Sequence, residues 1–162
     1  MALSIKVDAK NLLAFFKRAE LSLGEKQKFL TDIGDLELSS TRQRFIKQID
    51  PQGKAWKPTL RQKRNSTAKI LRKSGVLFNS LARKVVDGSV FIGTNISYGK
   101  IHQTGGTFTV PAQTRTSTQG KVFSIPAYKV TMPKRSFIGN NSQTLLNIDR
   151  VIKNLINKDI LK

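Results

Sequence analysis

The stretch LARKVVDGSVFIGTN, residues 81–95, constrains the fold more than any other segment. Two apolar runs flank Asp87-Gly88, and Asp-Gly between such runs is a strong short-range hairpin signal, because both central residues of the tight turn need positive φ. An antiparallel pair of strands is therefore expected in the middle of the chain. Leu3, Ile5 and Val7 alternate with polar neighbours and read as a short strand. Asp8 then stands where it would cap a helix through AKNLLAFFKRA. Ser22 and Glu25 have capping-box spacing, which predicts a helix of roughly 25 residues starting near Leu23. Phe29, Leu30, Ile33 and Leu36 form its buried stripe, extended by Phe45, Ile46 and Ile49, with a bend allowed at Gly34. It ends at DPQGKAWKP, where Pro51 stops the helix, Gly53 permits a turn and Trp56 pins the loop to the core.

After that turn, Ile70, Leu71, Leu77 and Leu81 supply one or two short helices broken at Gly75. ISYGKIHQTGG is too glycine-rich for a long element and reads as a short helix or turn closing on Gly105-Gly106. A second hairpin is expected next, with arms Phe108–Val110 and Val122–Ile125 and a polar tip between them. PKRSFIGNN is a connector, and Leu145, Ile148, Ile152, Leu155 and Ile160 mark a C-terminal amphipathic helix. The order predicts an α+β fold: an antiparallel sheet with a long N-terminal helix, a C-terminal helix and a protruding β-hairpin. Residues 1–162 read as one domain, mainly helical over 1–50, with hairpins over 83–130 and the last helix over 141–160.

The charge is uneven. Residues 1–40 hold six Lys/Arg and six Asp/Glu, residues 41–100 hold fourteen and two, and residues 101–162 hold nine and two, for a total of +19. The field is built by the middle and end of the chain, and it attracts polyanions: nucleic acid or an acidic protein surface. Its densest part contains Arg61, Lys63, Arg64, Lys69, Arg72 and Lys73. No aromatic residue lies between Trp56 and Phe78, so base stacking there is not expected and any nucleic-acid contact would be to the backbone. A merely solvated basic face is the alternative.

Catalytic and metal chemistry find little to build on. There is no Cys, one His and ten acids in the chain, so thiolate sites are excluded and a metal cluster is not expected. His102 would need a carboxylate partner, and the nearest acid in sequence is Asp87; a fold bringing Asp35 or Glu37 beside it would make a dyad. No nucleophile turn or phosphate-binding glycine loop is present. MALSIKVDAK lacks the pattern of a secretory signal and no apolar run is long enough to span a bilayer, so the expectation is a protein made and used in the cytoplasm, without membrane contact and without cofactor.

Four blocks, taken in order, carry a resemblance. They are Phe45 followed by IDPQGKAWKP, then KILRKSGVLFNSL, then VFIGTNISYGKIHQTGG, then MPKRSFIG. Together they resemble the phage virion morphogenesis proteins, also called tail completion proteins, of Mu-like phages and their relatives. The four blocks span residues 45–139. Gly99 stands where that family usually has alanine, Ser136 where it usually has a second proline, and the stretch 107–131 is longer than its usual connection.

The resemblance implies a non-enzymatic structural protein of the virion tail or neck, assembled in the host cytoplasm, of tail-terminator or neck type. Its relatives finish the tail so that head and tail join, and neck components form rings. A homo-hexameric ring is therefore expected, contacting neighbouring neck, tail-tube or connector proteins and the DNA passing through its lumen. Ring contacts are expected on the hairpin, through Phe108, Val110, Arg115, Lys121, Val122 and Phe123, and on the C-terminal helix. Trp56, Gly75, Tyr98, His102, Gly105, Gly106, Phe137 and Gly139 would be structural. Tyr98 and Ile101 would pack inward, and His102 and Gln103 would hydrogen-bond around the turn. The runner-up reading is a non-specific nucleic-acid-binding protein.

Overall fold

A computed structural model describes residues 3–7 and 22–160; the helix expected at AKNLLAFFKRA lies outside these. Helix α1 spans Leu23–Lys47. It starts where the capping box places it: the Glu25 amide donates to the Ser22 hydroxyl at 3.3 Å, and the Ser22 amide donates to the Glu25 carboxylate at 2.9 Å. That exchange satisfies amides the first turn leaves unpaired. The helix buries Phe29, Leu30, Ile33 and Phe45 and leaves Ile46 48% exposed. It runs unbroken through Gly34. The glycine instead admits the sheet, since a Cβ there would lie 2.7 Å from Arg83 Cδ and 3.1 Å from Val90 Cγ1. The helix ends at Gln48, which is left-handed with φ 58°. Asp50 Oδ1 then accepts from the amides of Gln52 and Lys54 and shapes the turn after it.

The sheet facing α1 has three antiparallel strands in the order β1 (Leu3–Val7), β3 (Ser89–Thr94), β2 (Ala82–Val86). Val86 pairs with Ser89 across Asp87 and Gly88, both at positive φ (48° and 68°), as the Asp-Gly signal requires. β3 is the central strand, and its Val90 and Ile92 are each 2% exposed. Two short helices, α2 (Leu60–Arg64) and α3 (Val76–Asn79), precede the sheet hairpin, and α4 (Gly99–Thr104) follows it.

The second hairpin is longer than expected and pairs differently. β4 (Gly106–Val110) pairs with β7 (Tyr128–Met132), and β5 (Gln113–Thr116) pairs with β6 (Val122–Ile125). Phe108 therefore faces Val130, and Val122–Ile125 faces Gln113–Thr116; the two arms expected to meet belong to different ladders. The reason lies in two Pro-Ala steps, Pro111-Ala112 and Pro126-Ala127, which stand opposite each other. Proline has no amide to give to a ladder, so pairing stops there on both strands. The register does not slip across the gap, and the ribbon ends in a tip where the Ser117 amide donates to the Lys121 carbonyl at 2.8 Å. No residue from 106 to 132 is buried.

Helix α5 spans Ser142–Ile160. Its inward stripe begins with Thr144, 1% exposed, and continues through Ile148, Val151 and Ile152 against the core. Leu145, expected in that stripe, is 67% exposed. It sits one residue, about 100° of helix, away from the true stripe, whose first member is a threonine held by Asn141. The side chains of Leu155 and Ile160 lie outside the described residues.

Candidate functional site

The connector Arg135–Gly139 is where the distant parts of the chain meet. Phe137 is 0% exposed, its ring 5.1 Å from that of Phe45, which is also 0% exposed. Trp56 packs edge-on against Phe45 at 5.4 Å, and its indole Nε1 donates to the Ser136 carbonyl at 2.8 Å. Gln103 replaces a missing β partner: its Oε1 accepts from the amides of Phe137 (2.9 Å) and Ile138 (3.1 Å), and its Nε2 donates to the Ile138 carbonyl. The connector is thus tied like a strand by one side chain, which satisfies buried backbone groups that no sheet reaches. From α1, buried Arg44 donates to the Phe137 carbonyl at 3.2 Å. Burial pulls the Arg44 pKa down, and Glu37 at 3.8 Å opposes that shift.

Two glycines permit the approach. At Gly105, φ is 71° and a Cβ would lie 2.8 Å from the Lys134 amide nitrogen, so α4 reaches the connector only with glycine there. At Gly139 a Cβ would meet Pro51 Cγ at 2.8 Å. Residues of the first, third and fourth sequence blocks are therefore bonded or packed to one another, and the second contributes Leu77 and Phe78 to the same core.

Beside this knot, at the foot of the ribbon, an open cleft of about 700 Å³ lies between α2, the loop before α3, α4 and the end of β7. Leu60, Leu71, Leu77 and Met132 line it with apolar surface. Arg61, Lys63, Lys73 and Arg135 line it with positive charge, and no Asp or Glu does. The dense basic segment is thus divided. Arg61, Lys63 and Lys73 face the cleft, and the Arg61 guanidinium donates to the Lys69 carbonyl. Arg64 and Lys69 are exposed outside it. Arg72 lies 4.6 Å over the Phe78 ring, a cation–π contact that holds it to the domain.

Tyr98 and His102 also line the cleft. Tyr98 does not pack inward; it is 44% exposed, with its ring edge-on to His102 at 6.1 Å. Its position at the N-terminus of the short α4 turns it out, and Gly99 beside it is the buried residue. The His102 carbonyl accepts from the Arg135 amide at 2.8 Å, but its Nδ1 is buried without a hydrogen-bond partner among the described residues. Burial, and next the charge of Arg135, push the His102 pKa below 6.5. The carboxylates that would complete a dyad are engaged elsewhere: Asp35 accepts from Arg83 Nη2 at 3.1 Å, and Glu37 is buried beside Arg44. Gly75 is left-handed (φ 76°) ahead of α3.

On the ribbon, Phe108 and Val110 lie on β4, Arg115 on β5 opposite Phe123, Val122 on β6, and Lys121 at the tip. Phe108, Val122, Phe123 and Tyr128 are 42%, 62%, 44% and 48% exposed. The family that has this combination is decided by one comparison: the model of the phage virion morphogenesis family matches residues 7–157. The chain belongs to the phage virion morphogenesis family. Neither a curated protein nor a solved structure matches it. In this member of the family the knot is the buried frame, and the cleft and ribbon lie on the exposed surface. Among the described residues no group of three or more His, Cys, Asp or Glu is placed to hold a metal, and no helix is long and apolar enough to cross a membrane. Sequence reasoning missed Leu60, Met132 and Arg135 as parts of a site. Only the leucine gave a signal, an apolar residue opening a run of cations.

Proposed function

We propose that this chain is a ring-forming, non-catalytic subunit at the tail end of the phage neck, completing the tail and allowing head and tail to join. The observation that carries this reading within the virion-assembly family is the ribbon. A two-stranded ribbon is marginal in water, and this one shows four large apolar side chains to solvent and buries none. Such a segment gains most when a neighbour covers it. A closed ring needs a contact in which one surface meets a different surface of the next copy, and a protruding ribbon reaching an adjacent subunit has that asymmetry. Six-fold closure is the expected symmetry. Copies at +19 each repel one another, so the ring is stabilised by acidic neighbours or by the DNA in its lumen.

His102 argues against a catalytic role by its surroundings. No carboxylate among the described residues orients it, and burial, with the charge of Arg135 adding to it, makes it a weaker base. We read it as part of the frame.

The test is negative-stain electron microscopy of a lysate from the source phage carrying a stop codon in this gene. Filled heads separate from tails are expected, some tails of abnormal length. Joined, normal virions would sink the reading. A second reading, non-specific nucleic-acid binding, is favoured by the exposed Lys63, Arg64, Lys69 and Lys73, none ion-paired among the described residues. It predicts that the isolated protein binds free DNA with a steep loss on adding salt.

A further inference from the structure

The cleft at the foot of the ribbon combines two chemistries that rarely coincide on an idle surface. Its apolar lining includes Leu60, which is 73% exposed at the first position of the short helix α2. Around it stand Arg61, Lys63, Lys73 and Arg135, with no acid among the lining residues and no ion pair to any of the four among the described residues. Arg135 is 4% exposed and its guanidinium donates to the Lys57 and Pro58 carbonyls, so Lys63 and Lys73, both exposed, are the cations open to an incoming carboxylate.

The occupant follows from that pairing. A DNA backbone needs cations and gains nothing from an aliphatic lining. Stacked bases need aromatic platforms, and the cleft has one exposed aromatic ring, Tyr98. A second copy of this chain is a poor match. Of its described acids, Asp32, Asp35 and Asp149 are paired with Lys28, Arg83 and Lys153, and Glu37 is buried. Glu25 caps α1 and Asp50 accepts backbone amides, which leaves Asp87 in the tight turn of the sheet hairpin, and two copies at +19 repel. A polypeptide that carries large apolar side chains between carboxylates satisfies both halves: the apolar groups displace water from Leu60, Leu71 and Met132, and the carboxylates meet the uncompensated cations. A volume of about 700 Å³ is within the range of sites that enclose such side chains.

We propose that this cleft docks an acidic segment, with at least one large apolar side chain, from a neighbouring protein of a different kind in the phage particle. This rests on the virion-assembly reading. Apolar residues anchor the segment, and Lys63 and Lys73 select it by charge.

The experiment replaces Leu60 by the photo-crosslinker p-benzoylphenylalanine in the phage-borne gene, with Asn65, exposed and outside the cleft, as the control position. Purified particles are irradiated and the adduct is identified by mass spectrometry. The expected product joins position 60 to an acidic, apolar-bearing segment of another virion protein. Its yield is expected to fall about tenfold in a Lys63→Glu, Lys73→Glu background while the melting temperature of the purified protein stays unchanged. Lys63→Gln with Lys73→Gln gives the same test with a milder change if charge reversal disturbs the fold. An adduct to DNA, an adduct to another copy of this chain, or a yield no higher than at Asn65 overturns the docking proposal and leaves the virion reading standing. Particles that form and infect without containing the chain overturn both.

Discussion

The connector Arg135–Gly139 and the ribbon Gly106–Met132 are neighbours in sequence and opposites in physics. The connector has no strand partner, yet Phe137 is fully buried and its backbone is held by Gln103 of α4, Arg44 of α1 and Trp56 of the loop after α1. The ribbon has regular ladders, yet none of its residues is buried. Regular secondary structure is therefore no guide to what holds this molecule together. Burial is concentrated in an irregular segment where several parts of the chain agree on one geometry, and the regular ribbon contributes no buried residue to it.

The sharpest way to break that contrast is at Phe137. Its replacement, Phe137→Ala, opens a cavity among Phe45, Trp56 and Ile138, and is expected to cost about 3–5 kcal/mol by urea unfolding. Phe123→Ala on the ribbon is expected to change stability by less than about 0.5 kcal/mol. Similar losses at both positions would mean that the ribbon packs on the domain after all.

Next in size is Gln103→Ala. It leaves the amides of Phe137 and Ile138 and the Ile138 carbonyl without their partner, at about 2–4 kcal/mol for the set. A loss under about 1 kcal/mol would show that water enters and that the connector is held by packing alone.

A smaller effect separates frame from surface at His102. Its folded pKa lies below the unfolded value of 6.5, chiefly through burial, so the unfolded chain takes up the proton first as pH falls. Stability contributed by neutral His102 is therefore full above about pH 6.5 and is lost progressively as pH drops toward the folded pKa. His102→Gln is expected to flatten this part of the profile, read as the difference in urea midpoint between pH 7.5 and 5.5. An unchanged profile would place the imidazole in solvent.

Much of this fold is legible in the sequence where a local rule has one solution. The Ser22–Glu25 box sets the start of α1, Asp87-Gly88 sets the sheet hairpin, and the α+β order follows from them. Membership of the virion family is legible too, from blocks whose residues turn out to touch. The ribbon pairing was not legible, because apolar runs attract attention while the symmetric Pro-Ala steps that divide the ladders look like loop. Leu145 misled because the stripe it neighbours starts with Thr144, a polar residue buried by its bond to Asn141. The cleft was hidden for a different reason. It is assembled from residues near positions 60, 71, 98 and 132, and no periodicity relates segments that meet only through tertiary packing.

The smallest expected effect on stability is also the most informative for assembly. The register is continuous across the Pro-Ala steps, so the outer ladder can be removed without disturbing the inner one: residues 111–127 are deleted and Val110 is joined to Tyr128 through Asn-Gly, a pair suited to a two-residue hairpin. Nothing deleted is buried, so stability should stay within about 0.5 kcal/mol of the intact chain. Arg115, Lys121, Val122 and Phe123 are lost with it, and head–tail joining in a complementation assay should fall sharply. A stable shortened protein that supports normal joining would move the proposed ring contact off the outer ribbon, to β4, β7 or α5. A shortened protein that unfolds would dissolve the distinction between connector and ribbon, because a segment without buried residues would then be contributing to the fold.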